Sequence, residues 1–229
     1  QGVDMRGGTG DDTYYFDLTN LGGDGEVGTG TVTEFADEGT DTILATNFFA
    51  GTYTIGANIE NITLRPVPGD DFAGARVLGN ELANVVVFEP NLGGTINGAD
   101  GDDDLTVGHD PLNDSVLTGG AGNDIFRFGT DAFTTITDFA PGTDRIVITD
   151  ASAFGGGLAP GMDLEATGRF EANATGVATS DPGVGQFILN TTTFELIWDS
   201  NGSEEDGATT FLALSASAAT MTGHDIIVA

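Results

Sequence analysis

The sequence predicts an all-β fold: a parallel β-roll, which is a solenoid of short stacked strands, followed by a C-terminal β-rich cap with a hairpin. Three observations predict it. The nine-residue pattern GGxGxDxUx, with U a large apolar residue, occurs in full at residues 7–15 (GGTGDDTYY) and 119–127 (GGAGNDIFR). Glycine supplies 36 of the 229 residues, as suits a chain that turns repeatedly through positive φ. Cysteine is absent, so neither disulfides nor zinc thiolates can hold the coils together.

The two halves of the repeat do different jobs. GGxGxD makes a turn in which glycines let backbone carbonyls point inward and the aspartate adds a charged oxygen. The xUx half makes a short strand with U facing the interior, because alternate residues point to opposite faces. Along the chain, the turn at 7–12 feeds a strand with Tyr14 and Phe16 inside, and GTDTI at 39–43 keeps the half-motif GxDxU. Residues 47–78 read as a non-repeat stretch. GNELANVVV at 79–87 keeps the register with Asn84 in the aspartate position, and GADGDDDLT at 98–106 changes only the second glycine. LNDSVLT places Ser115 at the aspartate position if Leu117 is the apolar residue, and GTDRI at 142–146 is another half-motif. Tyr14, Phe16, Ile43, Val86, Leu105 and Phe126 form the expected inner column.

A boundary is expected near residue 133, with the roll at 1–133 and the cap at 134–229. TTITDFAPGTDRIVI still alternates like strands, and QFILN with FELIWDS reads as an antiparallel hairpin. FLALSASAATMTGHDIIVA suggests one short helix before a final apolar strand.

The chain carries 36 acidic and 6 basic residues, the latter all arginine, for a formal net charge of -30. Nucleic acid and anionic membranes would be repelled by such a surface, which leaves cations as the natural partners. Acids can be scattered for solubility or gathered into sites; glycine beside aspartate at regular intervals favours turns that bind metal. Carbonyl and carboxylate oxygens in a flexible shell favour Ca²⁺ over Mg²⁺, and zinc lacks both cysteine and paired histidine. No apolar run approaches the roughly 18 residues needed for a membrane span, and no signal peptide pattern opens the sequence. A first residue of Gln1 suggests a fragment or a processed form.

GGTGDDTYYFD, VTEFADEGTDTILA, YTIGANIENITL and GNELANVVV together resemble the hemolysin-type (RTX) calcium-binding repeat proteins. GGAGNDIFRFG with TTITDFAPGTDRIVI and the ending DIIVA resembles the C-terminal portion of serralysin-type and other type I secreted proteins. The resemblance implies export by the type I secretion machinery, an uncleaved signal within the last few dozen residues, and calcium loading outside the cell. It carries the ligand positions onto Asp12, Asp103 and Asp124, with carbonyls from Gly8, Gly10, Gly101, Gly120 and Gly122. Asp41 and Asp144 match the half-motif, and Asp138 in ITDF matches a frequent acidic position of such C-terminal domains. Asn84 and Ser115 interrupt the ladder, so a few strong sites are expected in place of an unbroken row.

Other constellations are weaker. A zinc protease needs HExxH and a hydrolase GxSxG; the chain has neither, and His109 and His224 read as surface residues. DSNGSEEDG at 199–207 begins like an EF-hand loop but lacks the glutamate at the twelfth position, and reads as a polar hairpin loop. The adjacent acids Asp70 with Asp71 and Glu204 with Glu205 read as solvated charge, and Trp198 as core. The expectation is therefore a non-enzymatic calcium module that folds on binding the ion, in a secreted or cell-surface protein. Two alternatives stand beside it: a self-assembling surface-layer or filament subunit, suggested by a complete turn lying so near the start, and the C-terminal part of a secreted protease or lipase.

Overall fold

The computed structural model describes residues 4–17, 31–48, 51–66, 72–108, 114–129, 133–204 and 206–229. Its strands in chain order begin with β1 (Asp4–Met5), β2 (Thr13–Asp17), β3 (Thr31–Val32), β4 (Thr42–Phe48) and β5 (Gly51–Thr54). There follow β6 (Asn61–Pro66), β7 (Phe72–Leu78), β8 (Val85–Phe88), β9 (Leu92–Asp100), β10 (Asp104–Val107), β11 (Ser115–Ala121) and β12 (Ile125–Phe128). The last are β13 (Thr134–Ile136), β14 (Arg145–Ile148), β15 (Phe170–Asn173), β16 (Gln186–Asn190), β17 (Glu195–Asp199), β18 (Ala208–Leu214) and β19 (Ile226–Val228). Together they form a β-solenoid of about six turns.

From β5 onward the coils contribute one strand to each of two sheets that face one another across a shared core, and β1 and β3 pair in a separate two-stranded parallel sheet. The first sheet runs β2, β4, β6, β8, β10, β12, β14, β19, every neighbour parallel. The second begins β5, β7, β9, β11, β13, β18 in the same sense. Register aligns one inward residue from every coil into a row: Tyr14, Ile43, Ile62, Val86, Leu105, Phe126, Ile146 and Ile226. All of these are buried, and each contributes about 1.5–3 kcal/mol through apolar area withdrawn from water. Phe16 packs half-buried against the same core.

Residues 47–78, which carry no glycine-aspartate repeat, supply the regular strands β5, β6 and β7. Their turn opens at Gly56, whose carbonyl accepts from the Ile59 amide, and its left-handed position is taken by Asn58 at φ 62°, a residue that tolerates that region. Ser115 does not stand in a turn of the repeat type. It opens β11 opposite Thr134, in the second sheet.

Both sheets continue past residue 133, through β13 and β14. The chain then leaves the solenoid for residues 149–207 and returns through β18 and β19 to complete the last coil. The excursion carries a short helix, α1 (Ala151–Phe154), capped by the Asp150 side chain accepting from the Ser152 amide. It also carries the expected hairpin, β16 with β17 antiparallel, extended by antiparallel β17–β18. Phe154, Phe187, Trp198 and Phe211 form an aromatic cluster beneath it, and the Trp198 indole donates to the Phe154 carbonyl at 2.8 Å. Leu158 and Leu164 enter the end of the core, where the Gly161 amide donates to the Val228 carbonyl at 2.8 Å. The small-residue stretch forms a 3-10 helix at Ala216–Thr220 before β19. No helix among the described residues is long and apolar enough to cross a membrane.

Candidate metal centre

The residue just before each strand of the first sheet is Asp12, Asp41, Glu60, Asn84, Asp103, Asp124, Asp144 and Asp225. Stacking of coils in register turns these positions into a column along one edge of the solenoid. A carboxylate oxygen of one coil accepts the backbone N–H of the equivalent residue one coil earlier. The Asp12 amide donates to Asp41 at 2.9 Å, Asp41 to Glu60 at 2.7 Å, Asn84 to Asp103 at 2.8 Å, Asp103 to Asp124 at 3.0 Å and Asp124 to Asp144 at 3.1 Å. A second thread runs the other way, with Asp11 accepting from the Thr40 amide and Asp102 from the Asn123 amide.

The aspartates of the ladder accept through Oδ1, and Glu60 accepts through Oε2. The Oδ2 atoms of Asp12, Asp103 and Asp124 are buried and have no hydrogen-bond partner. They rest against the first glycine of their own motif: a Cβ would lie 2.1 Å from Asp12 Oδ2 on Gly7, 2.0 Å from Asp103 Oδ2 on Gly98 and 2.2 Å from Asp124 Oδ2 on Gly119. That glycine is present because the carboxylate fills the space of a side chain. Gly8, Gly10, Gly101 and Gly120 take φ of 85°, 114°, 115° and 106°, the left-handed backbone the turn requires. Gly122 is needed for close approach, since a Cβ there would lie 2.0 Å from the Gly101 carbonyl oxygen one coil below.

Burial and like-charged neighbours raise the affinity of these acids for protons. Burial, with Asp124, Asp102 and Asp100 nearby, pushes the Asp103 pKa up to about 7. Burial, with Asp144 and Asp138 nearby, pushes Asp124 up to about 6. Asp144 is also raised, chiefly by burial.

The tightest gathering lies at the first joint, where Asp12, Glu34 and Asp41 place one carboxylate oxygen each within 4.8 Å of one another. Glu34 follows β3 and is 4% exposed; its Oε1 accepts from the Gly7 amide at 2.9 Å, while Oε2 is buried without a partner. Burial raises its pKa, and Asp41 adds to the effect. Glu34 was outside the sequence-based expectation. A related contact lies at the other end, where Asp138 accepts from the Gly119 and Gly120 amides at 3.0 and 2.9 Å through its two oxygens, near Asp124 and Asp144. Glu34 and Asp138 thus hold corresponding places, each accepting from the first glycine of the preceding turn. The signal in the sequence is VTEFADEGTDTI at 32–43 against ITDFAPGTDRI at 136–146.

Among the described residues, no arginine forms an ion pair with Asp12, Glu34 or Asp41, and the chain has no lysine. Buried carboxylates with unpaired oxygens are stabilised either by a bound proton or by a countercharge. Oxygen-only donors, several of them anionic, on glycine-rich turns match the preference of Ca²⁺. At its last joint the column meets a positive charge, Arg145, whose Nη1 donates to the Asp144 carbonyl at 2.6 Å and meets Asp225 at 3.4 Å.

The remaining sequence candidates lie elsewhere. His224 is exposed in the 3-10 turn Gly223–Asp225, and Trp198 is core. The 199–207 loop joins β17 to β18, with Asp199 accepting from the Asn201 amide at 3.1 Å. His109, Asp70, Asp71 and Glu205 lie outside the described residues. A scan against protein-family models and a search of curated proteins both find no match for this chain.

Proposed function

We propose that this chain is a calcium-binding, non-enzymatic module of the hemolysin-type repeat class, belonging to a protein exported by a type I route and folded by calcium outside the cell. The observation that carries the reading is the convergence of Asp12, Glu34 and Asp41, with two buried carboxylate oxygens lacking any donor. Two like charges at such a separation repel by about 3–4 kcal/mol at an effective dielectric of about 20. Three such charges at the first joint, with Asp144 and Asp138 adding like charge around Asp124, work against closure of the coils.

Bound at these joints, Ca²⁺ supplies the missing positive charge. The chain's own contribution is to hold the oxygens: ladder bonds fix one oxygen of each carboxylate, and glycine leaves room for the other. Because those oxygens come from residues a full coil apart, they meet only in the folded state, and ion binding is coupled to folding. A chain with 36 glycines also has much backbone entropy to lose, which favours the open form when calcium is scarce. Such a chain suits passage through a narrow export channel followed by folding at extracellular calcium. Far-UV circular dichroism with calcium and after chelation tests the reading. The expected result is a strand spectrum that weakens on chelation and recovers with calcium; a spectrum indifferent to both would refute it.

A further inference from the structure

One joint of the column is built from different chemistry. Between the coils of β6 and β8 the acidic position is Asn84, 0% exposed. Its Oδ1 accepts from the Asn80 amide at 3.0 Å, and its Nδ2 donates to the carbonyls of Ile59 and Glu60, both at 3.3 Å, and to Asn80 Oδ1 at 3.1 Å. Asn80 Nδ2 donates to the carbonyls of Gly56 at 2.8 Å and Ile59 at 2.9 Å, and its Oδ1 also accepts from the Leu82 amide at 2.9 Å. Both side-chain oxygens and both amide nitrogens of the pair are therefore engaged. At Asp12, Asp103 and Asp124, by contrast, one buried oxygen each is left over. The lower turn's carbonyls receive N–H donors here, and a primary amide brings those donors with no net charge to neutralise.

We propose that Asn80 and Asn84 take the place of a cation at this joint, so that the solenoid consists of two calcium-dependent blocks, β2–β4 and β10–β14, flanking a coil pair, β6–β8, that closes without metal. The inference rests on the calcium reading above. Solenoid coils contact mainly their neighbours, so blocks with different requirements can open separately. Asn84 is the residue that excludes the ion: an aspartate there would bring a negative charge and lose the amide's donors to the Ile59 and Glu60 carbonyls, leaving an oxygen unpaired as at Asp12, Asp103 and Asp124.

Hydrogen exchange on the full chain separates the possibilities. The reporting amides are Thr42, which donates to the Asp12 carbonyl at 2.9 Å, Ile125 to Asp103 at 2.7 Å, Arg145 to Asp124 at 2.8 Å, and Val85 to Glu60 at 3.0 Å. Chelation is expected to speed exchange at Thr42, Ile125 and Arg145 by about tenfold or more relative to Val85. If Val85 loses protection together with the others, the metal-free joint is refuted while the calcium reading stands. If none of the four responds, the calcium reading itself fails and this inference with it. The variant Asn84→Asp, titrated with calcium by calorimetry, is expected to bind at least one more ion per chain than the parent and to make Val85 chelator-sensitive. An unchanged number of ions, with Val85 still protected after chelation, would also overturn the assignment.

Discussion

At the scale of single residues, the first glycine of each repeat makes the sharpest demand. A methyl at position 98 would sit 2.0 Å from Asp103 Oδ2, so Gly98→Ala must displace the carboxylate. We expect this substitution to lower stability in calcium by about 1–3 kcal/mol, the usual range for overpacking. Gly129→Ala, where an added carbon meets nothing within 4 Å, should leave the urea midpoint nearly unchanged. Glu34→Gln keeps an oxygen to accept from the Gly7 amide but removes one charge from the triad. It should weaken calcium binding at the first joint by about tenfold in calorimetry, yet raise stability in calcium-free buffer by relieving repulsion. A loss of stability under both conditions would assign Glu34 a purely packing role. The aspartates were legible in the sequence because the motif fixes their spacing within one turn. Glu34 was not, because it reaches the site from a segment outside the nine-residue pattern, and only the parallel between VTEF and ITDF points to it.

At the scale of elements, the hairpin of β16 and β17 was legible because QFILN and FELIW carry strand-forming residues on either side of a short polar turn. The coil containing β5, β6 and β7 was not. Its turn replaces glycine by Asn58 and aspartate by Glu60, and it buries Ile59 completely, so the outward marks of the repeat are gone while its geometry persists. Ser115 was misplaced for the complementary reason. A polar residue two positions before an apolar one occurs in either sheet, and pairing alone decides which. The excursion at 149–207 is held by its aromatic cluster, in which the Trp198 and Phe187 ring centroids lie 4.5 Å apart. Trp198→Ala should cost about 3–5 kcal/mol in that element. Proteolysis should then cut within residues 155–207 before it cuts the coils β2–β12.

At the scale of the whole molecule, a net charge of -30 and a column of raised carboxyl groups act in the same direction. Burial first, then neighbouring acids, push the Asp103 and Asp124 carboxyls up to about 7 and about 6 in the calcium-free fold, from the ordinary 3.8 of the unfolded chain. Between those limits the folded state binds more protons than the unfolded one, so stability falls as pH rises. Thermal melts in calcium-free buffer should therefore show the midpoint dropping between pH 4 and pH 7. Calcium should flatten that slope, because it substitutes for the protons. A midpoint that rises across this range without calcium would show that the column is not under electrostatic stress.

The excursion inside the final coil also bears on the order of events during folding. Gly142 and Asp225 bond across the last joint although 83 residues separate them, whereas the ladder partners Asn84 and Asp103 are only 19 apart. Tying a loop about four times longer adds about 1.2 kcal/mol of chain entropy to the barrier. The terminal strand thus meets its neighbour late, after the shorter loops have had time to close. The solenoid completes itself in sequence, and the seam between β14 and β19 sets the pace of its final step.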